Sequence, residues 1–193
     1  MNDIVTTKLS KSFGKKAVLK DFTATFKAGK VTNIMGSSGC GKTTLLNILM
    51  GLEKADSGRV SGVPNHISAV FQEYRLCEEF SAVSNILMVT GKRVKTSEIE
   101  RHLRMLGLGD SLHEPVQGLS GGMKQRVVLV RAVLHNGDVL FLDEAFKGLD
   151  IDTKSKAIIY VREHAQGKTI INITHDLQET AQMGGKLIKM ENQ

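Results

Sequence analysis

The segment Gly36-Ser37-Ser38-Gly39-Cys40-Gly41-Lys42-Thr43 fits the pattern G-x-x-x-x-G-K-[ST]. Glycines at these spacings let a backbone curl tightly and aim its N–H groups at phosphate oxygens. A helix opening at the end of such a loop adds its positive end. Lys42 then sets a charge beside the β- and γ-phosphates, the Thr43 hydroxyl is a Mg²⁺ ligand, and Thr44 stands next to it. ATP with Mg²⁺ is the ligand expected here. An ordinary glycine turn would not need the strand before and the helix after the loop.

A second run, Val139-Leu140-Phe141-Leu142-Asp143-Glu144, puts two carboxylates behind four apolar residues. The apolar residues read as a buried strand, and α/β sheets hold ligands at the carboxyl ends of their strands. There Asp143 can hold Mg²⁺ through water while Glu144 polarises the attacking water. Alone, an Asp-Glu pair after a strand is usually just a turn. Paired with the phosphate loop, it reads as catalytic.

The third run is Leu119-Ser120-Gly121-Gly122-Met123-Lys124-Gln125-Arg126. Its bland reading is a serine cap and loop opening an amphipathic helix. A helix start with two glycines is also a second phosphate-binding surface. One nucleotide hardly needs both, unless the second belongs to another subunit.

These residues need elements to hold them. Phe22, Ala24 and Phe26 alternate with Thr23 and Thr25, so the first 30 residues read as antiparallel strands with a turn at 13–16. A strand over 31–35 feeds the glycine loop, and a helix over 42–50 leaves it, stopping at Gly51. Strands follow over 57–63 and 67–71. Residues 75–118 change to helical periods over 82–89 and 97–106, with loops near 107–109 and 113–118. From Ser120 helices (120–135, 153–164, 177–182) alternate with strands (138–142, 169–173, 186–190). That alternation predicts a mainly parallel sheet covered on both faces.

The totals agree with one unit over residues 1–193. The chain has 193 residues, 41% hydrophobic and 24% charged, which is ordinary for a folded globular protein. With no Trp and 5% aromatics it lacks a platform for stacking single strands, and no nucleic acid is expected. No secretory leader is visible, and no apolar stretch approaches the roughly 20 residues that span a bilayer. Cys40 and Cys77 form no metal pattern, and a reducing cytosol is the simplest compartment. Within the loop, Cys40 reads as a passive or oxidation-sensitive thiol. The formal charge is +6, and residues 1–30 carry seven lysines against two aspartates. The run holds no arginine and reads as a solvated strand face beside an anionic nucleotide.

The Leu119–Arg126 run resembles the signature motif of ATP-binding-cassette (ABC) ATPases, the nucleotide-binding subunits of ABC transporters. The order phosphate loop, Gln72, signature, Asp143-Glu144, Gly148-Leu149-Asp150 and His175 is similar to that family over essentially the whole chain. The resemblance implies a P-loop NTPase fold of the α/β class, with an N-terminal antiparallel β subdomain and a helical insert at about 75–118. It implies that Phe13 stacks on adenine and that Gln72 touches Mg²⁺ and the attacking water. It further implies that His175 contacts the γ-phosphate and that Asp150 lies at a dimer interface. Lys42, Gln72, Glu144 and His175 would then be the catalytic set. Ala145 stands where the family has proline, and Lys147-Gly148-Leu149-Asp150 where Ser-Ala-Leu-Asp is usual.

In proteins that this chain resembles, ATP lies between the phosphate loop of one subunit and the signature of its partner. The expectation is a head-to-tail dimer, an identical pair, that closes on two ATPs. It reopens after Glu144-assisted hydrolysis and drives separate transmembrane permease subunits docked on the helical insert. A substrate-binding protein is a further expected partner, and the inner face of the cell membrane the expected location. The short interval from Lys42 to Gln72, 30 positions, is similar to nitrate, sulfonate and taurine importers, but the Leu-Leu-Pro-Trp common there is missing. The chain ends 18 positions after His175, too soon for an appended regulatory domain. The alternative is a cassette ATPase acting on a non-transport partner.

Overall fold

The computed structural model describes residues 2–191; the ends of the expected unit, residues 1, 192 and 193, lie outside them. The chain opens with β1 (Ile4–Phe13), β2 (Lys16–Phe26), β3 (Val31–Gly36) and α1 (Lys42–Leu49). It continues through β4 (Ser57–Ser61), β5 (Ile67–Val70), α2 (Ala82–Thr90), α3 (Thr96–Met105) and α4 (Gly121–His135). The last elements are β6 (Val139–Asp143), α5 (Ile151–His164), β7 (Thr169–Ile173), α6 (Leu177–Met183) and β8 (Lys186–Met190).

Strands β2, β1 and β4 form an antiparallel sheet in that order. Phe13 pairs with Lys16 across a two-residue loop, where Gly14 takes a left-handed φ of 58° that a hairpin turn needs. The alternation expected from Phe22, Ala24 and Phe26 does not run through the whole of β2. Leu19 is buried although it falls on the other parity. The reason is a bulge: Leu9 pairs with Phe22 but Lys11 with Leu19, and Asp21 between them has φ 49°. The Asp21 N–H donates to Ser10 Oγ at 3.0 Å, which supports the bulge from the neighbouring strand.

Strands β5, β6, β7, β3 and β8 form a second sheet in that order, every pairing parallel. It has two faces because side chains alternate along each strand. Val139, Phe141, Ile171 and Ile173 pack with α1 and the antiparallel sheet, including Leu45, Leu49, Leu9 and Phe26. Leu140, Leu142 and Ile170 pack on the opposite side with α4 and α5. A strand buried on both faces is apolar on both, and β6 is so from Val139 to Leu142, before Asp143 ends it.

Helices α2 and α3 extend this second core, where Val83, Ile86, Ile99 and Leu103 meet Val127 and Val130 of α4. Ser81 caps α2 by accepting from Ser84 N at 3.1 Å. Asn85, buried, ties down the preceding loop by accepting from Cys77 N at 2.8 Å and donating to Cys77 O at 3.0 Å. Arg131 of α4 donates to the carbonyls of Tyr74 (2.9 Å) and Arg75 (2.6 Å). The segment that follows Gln72 is thereby fixed to the helical layer. No helix among the described residues is long and apolar enough to cross a membrane.

Candidate active site

The glycine loop leaves the end of β3, which lies between β7 and the edge strand β8 of the parallel sheet. Gly36 must be glycine, since a Cβ there would sit 2.3 Å from the Met190 carbonyl of β8. Gly41 opens α1 with φ 95° and no side-chain cap, so the first N–H groups of α1 have no side-chain partner. Lys42, buried, donates to the carbonyls of Gly36 and Ser37, both at 2.8 Å, and lies 3.7 Å from Cys40 Sγ. Cys40 packs its thiol beneath the loop and can offer a ligand only its backbone.

A cleft of about 310 Å³ lies over this loop. Of the residues expected at the site, Phe13, Ser38, Gly39, Gly41, Lys42, Thr43, Thr44, Gln72 and Glu144 line it. Phe13 is half exposed at the tip of β1, with the Lys11 ammonium 5.2 Å from its ring centroid. Val18 also lines the cleft and escaped the sequence reading. Its signal was weak, because the bulge in β2 breaks the phase that would have marked it.

Asp143 is almost fully buried behind the cleft lining, beside the Thr43 hydroxyl and the Gln72 amide. Burial raises its pKa; the hydrogen bond from Thr43 opposes the shift, and the Glu144 charge adds to it. Its Oδ1 has no hydrogen-bond partner among the described residues. A buried carboxylate oxygen with nothing to accept from is costly unless a ligand completes it. No group of three His, Cys, Asp or Glu side chains gathers here or elsewhere among the described residues. One carboxylate with a hydroxyl and an amide suits a hard cation that keeps waters and phosphate oxygens as its other ligands.

Glu144 follows Asp143 in a left-handed conformation, φ 49°, with its N–H donating to Ile173 O at 3.0 Å. Its Oε2 is buried with Lys147 Nζ at 3.0 Å, an ion pair whose alignment falls short of a hydrogen bond. Its Oε1 lies 3.6 Å from His175 Nδ1. Burial pushes this carboxyl up, but the Lys147 ammonium and, less strongly, His175 outweigh it and hold the net pKa below the ordinary value. Glu144 is therefore ionised at neutral pH, as a proton acceptor must be.

His175 itself is largely exposed and, with Gly36 and Met35, lines an adjoining cleft of about 430 Å³. It sits on the loop after β7, whose Thr174 N–H donates to Ile34 O at 3.2 Å. Asn172, one turn of the strand earlier, donates to Asn33 Oδ1 and to Glu179 Oε1, both at 3.0 Å and all three buried. That polar seam joins the strand before the glycine loop to the strand before His175.

The remaining expected residues lie outside the cleft. Ser120 caps α4, accepting from Met123 N at 3.3 Å, and with Gly121 is exposed while Gly122 is half-buried. Asp150 caps α5, accepting from Thr153 N at 2.9 Å, on an exposed turn. Ala145, where proline was the family's habit, is fully buried, and its carbonyl accepts from Gln125 Nε2 at 2.6 Å.

Comparison with known proteins fits this geometry. The spermidine/putrescine import ATP-binding protein PotA of Bacteroides thetaiotaomicron is 34% identical over 199 aligned residues, covering 94% of this chain and 43% of the relative. The aliphatic sulfonates import ATP-binding protein SsuB 1 of Paracoccus denitrificans is 33% identical, covering 98% of this chain and 79% of the relative. The chain spans about half the length of the spermidine/putrescine relatives it matches. A solved dimeric structure of a bacterial ABC transporter cassette superposes with a TM-score of 0.86 at 25% identity, covering 97% of this chain and 94% of that one. Residues 19–147 match the ABC transporter family, and the chain belongs to it.

Proposed function

We propose that this chain is the ATP-binding and ATP-hydrolysing subunit of an ABC importer. The observation that carries this reading is the cleft of Lys42, Thr43, Gln72 and Glu144 over a buried Asp143, in a chain with import ATP-binding relatives.

ATP lies with adenine against Phe13 and its phosphates over the backbone from Gly36 to Thr44. Lys42 leaves the loop carbonyls for the β- and γ-phosphates, a better partner for a buried ammonium. Thr43, Gln72 and Asp143 would hold Mg²⁺, which when bound neutralises phosphate charge. Glu144 accepts a proton from water as that oxygen attacks the γ-phosphorus. The bond to the β-phosphate bridging oxygen breaks, and ADP and phosphate leave. His175, beside Glu144, contacts the γ-phosphate from the adjoining cleft.

The signature start, Ser120 to Gly122, is no part of the lining of this cleft, which supports a second copy as the owner of the nucleotide it meets. Asp150 lies at the same junction. The dimer closes on two ATPs and reopens after hydrolysis. Transmembrane permease subunits dock on the helical insert at 75–118. An apolar groove of about 300 Å³ beside it, lined by Met50, Leu52, Phe71, Arg75 and Val89, offers the seat. The chain then works at the inner face of the cell membrane, held there by the permease. The relatives divide between polyamine and sulfonate import.

The test is phosphate release from Mg–ATP and sedimentation with ATP. Parent protein should hydrolyse ATP, and Glu144→Gln should lose about 10²- to 10⁴-fold in turnover while accumulating as an ATP-bound dimer. A Glu144→Gln protein that stays monomeric with ATP and turns over at the parental rate overturns the scheme.

A further inference from the structure

Both oxygens of the Glu144 carboxylate have a nitrogen beside them in the free protomer, the Lys147 ammonium at 3.0 Å and the His175 ring Nδ1 at 3.6 Å. A carboxylate that must take a proton from water needs an oxygen free for that water. The Lys147 contact comes from a turn in which its N–H donates to the Glu144 carbonyl at 3.1 Å. The lysine side chain is 69% exposed and bound at this one point, so it can leave. Gly148 follows with a left-handed φ of 76°, and Leu149 after it reaches the signature of the same protomer. A Cβ on Gly122 would lie 3.5 Å from Leu149 Cδ2 and 3.6 Å from the Gly148 carbonyl. The turn carrying Lys147 therefore rests against the glycine that a partner's phosphates would cover.

We propose that Lys147 is a latch on the catalytic carboxylate: it occupies Glu144 in the free protomer and is drawn off when the 147–149 turn shifts against an occupied signature. The inference rests on the reading of Glu144 as the base. It makes Lys147 a positioning residue that holds down turnover before both nucleotide sites are engaged.

Phosphate release by the isolated chain tests it. At ATP well below KM, where few dimers hold both nucleotides, Lys147→Ser should raise the rate by about two- to five-fold, the range an exposed ion pair allows, with kcat at saturating ATP unchanged. Lys147→Arg should track the parent, and Lys147→Ser placed on Glu144→Gln should give no gain. A second readout needs no turnover: in nucleotide-free protein, acetylation of the Lys147 amine should quicken by a similar factor in Glu144→Gln. An unchanged or lower rate at low ATP in Lys147→Ser, or an amine indifferent to Glu144→Gln, overturns the latch. If instead Glu144→Gln itself hydrolyses ATP at the parental rate, the base assignment has failed rather than the latch.

Discussion

The starts of α1 and α4 are both glycine-bounded helix ends with amides to offer, yet the chain completes only one of them. Around α1 it gathers Phe13, Lys42, Gln72 and Glu144 into a walled cleft with Asp143 buried beside Thr43, and Gly41 leaves the helix without a side-chain cap. At α4 it supplies Ser120 as a cap and leaves Gly121 exposed and Gly122 half-buried, outside the lining of the cleft. An anion at the first start meets charge and hydrogen bonds from many directions. At the second it meets one helix end. On the proposed scheme the contrast means that α4 holds half a site, useful only when another copy brings the rest.

The sharpest way to break that contrast is to add one methyl group to each start. In Gly41→Ala the new carbon would sit 2.6 Å from Val18 O at φ 95°. Strain and clash together should cost about 3 kcal/mol or more, read as a lowered urea midpoint, and abolish ATP binding. In Gly121→Ala it meets only the Tyr74 hydroxyl at 3.0 Å, and the backbone is helical, so stability should change by about 1 kcal/mol or less. Equal losses in the two variants would erase the distinction.

Acid should reach the α4 side of the molecule first. His102 of α3 is buried with Nδ1 2.8 Å from the Tyr160 hydroxyl of α5. Burial, then the charge of Arg101 and the neighbouring His164, lower its pKa from 6.5 to about 4, against a small opposing pull from Glu98. A neutral ring in the fold contributes stability that is complete above pH 6.5 and is lost as pH falls through about 4. The loss is on the order of 3 kcal/mol. Urea unfolding at pH 7 and pH 4 should show it in the parent and a flatter profile in His102→Gln. Identical slopes would remove His102 from the account.

The smallest effect is expected at the α4 cap. Ser120→Ala removes the hydroxyl that accepts from Met123 N, and should cost about 1 kcal/mol in unfolding free energy. ATP binding to the α1 cleft should be untouched, since Ser120 is no part of it.

Much of the cleft was legible because its parts are local. The loop, its helix and the Asp143–Glu144 pair after β6 each announce themselves within eight residues. The parallel sheet was legible too, since Val139–Leu142 of β6 and the three isoleucines of β7 form short apolar runs between helical periods. What stayed hidden was set by tertiary contact. The left-handed Asp21, which brings Leu19 into the core, is a non-glycine residue held by Ser10 across the strand. The Lys147–Glu144 pair depends on a turn with Glu144 itself at positive φ, which no periodicity reveals. The His102–Tyr160 contact joins residues 58 positions apart.

The central claim is that one ATP needs the α1 start of one protomer and the α4 start of another. Mixing two silent variants, Lys42→Ala and Ser120→Glu, tests it most directly. In a mixed dimer one site keeps both an intact Lys42 and an intact Ser120. ATP hydrolysis should therefore return to about a quarter of the parental rate, the share of such sites in a randomly paired two-fold dimer. A mixture no more active than the two variants measured apart would contradict the account.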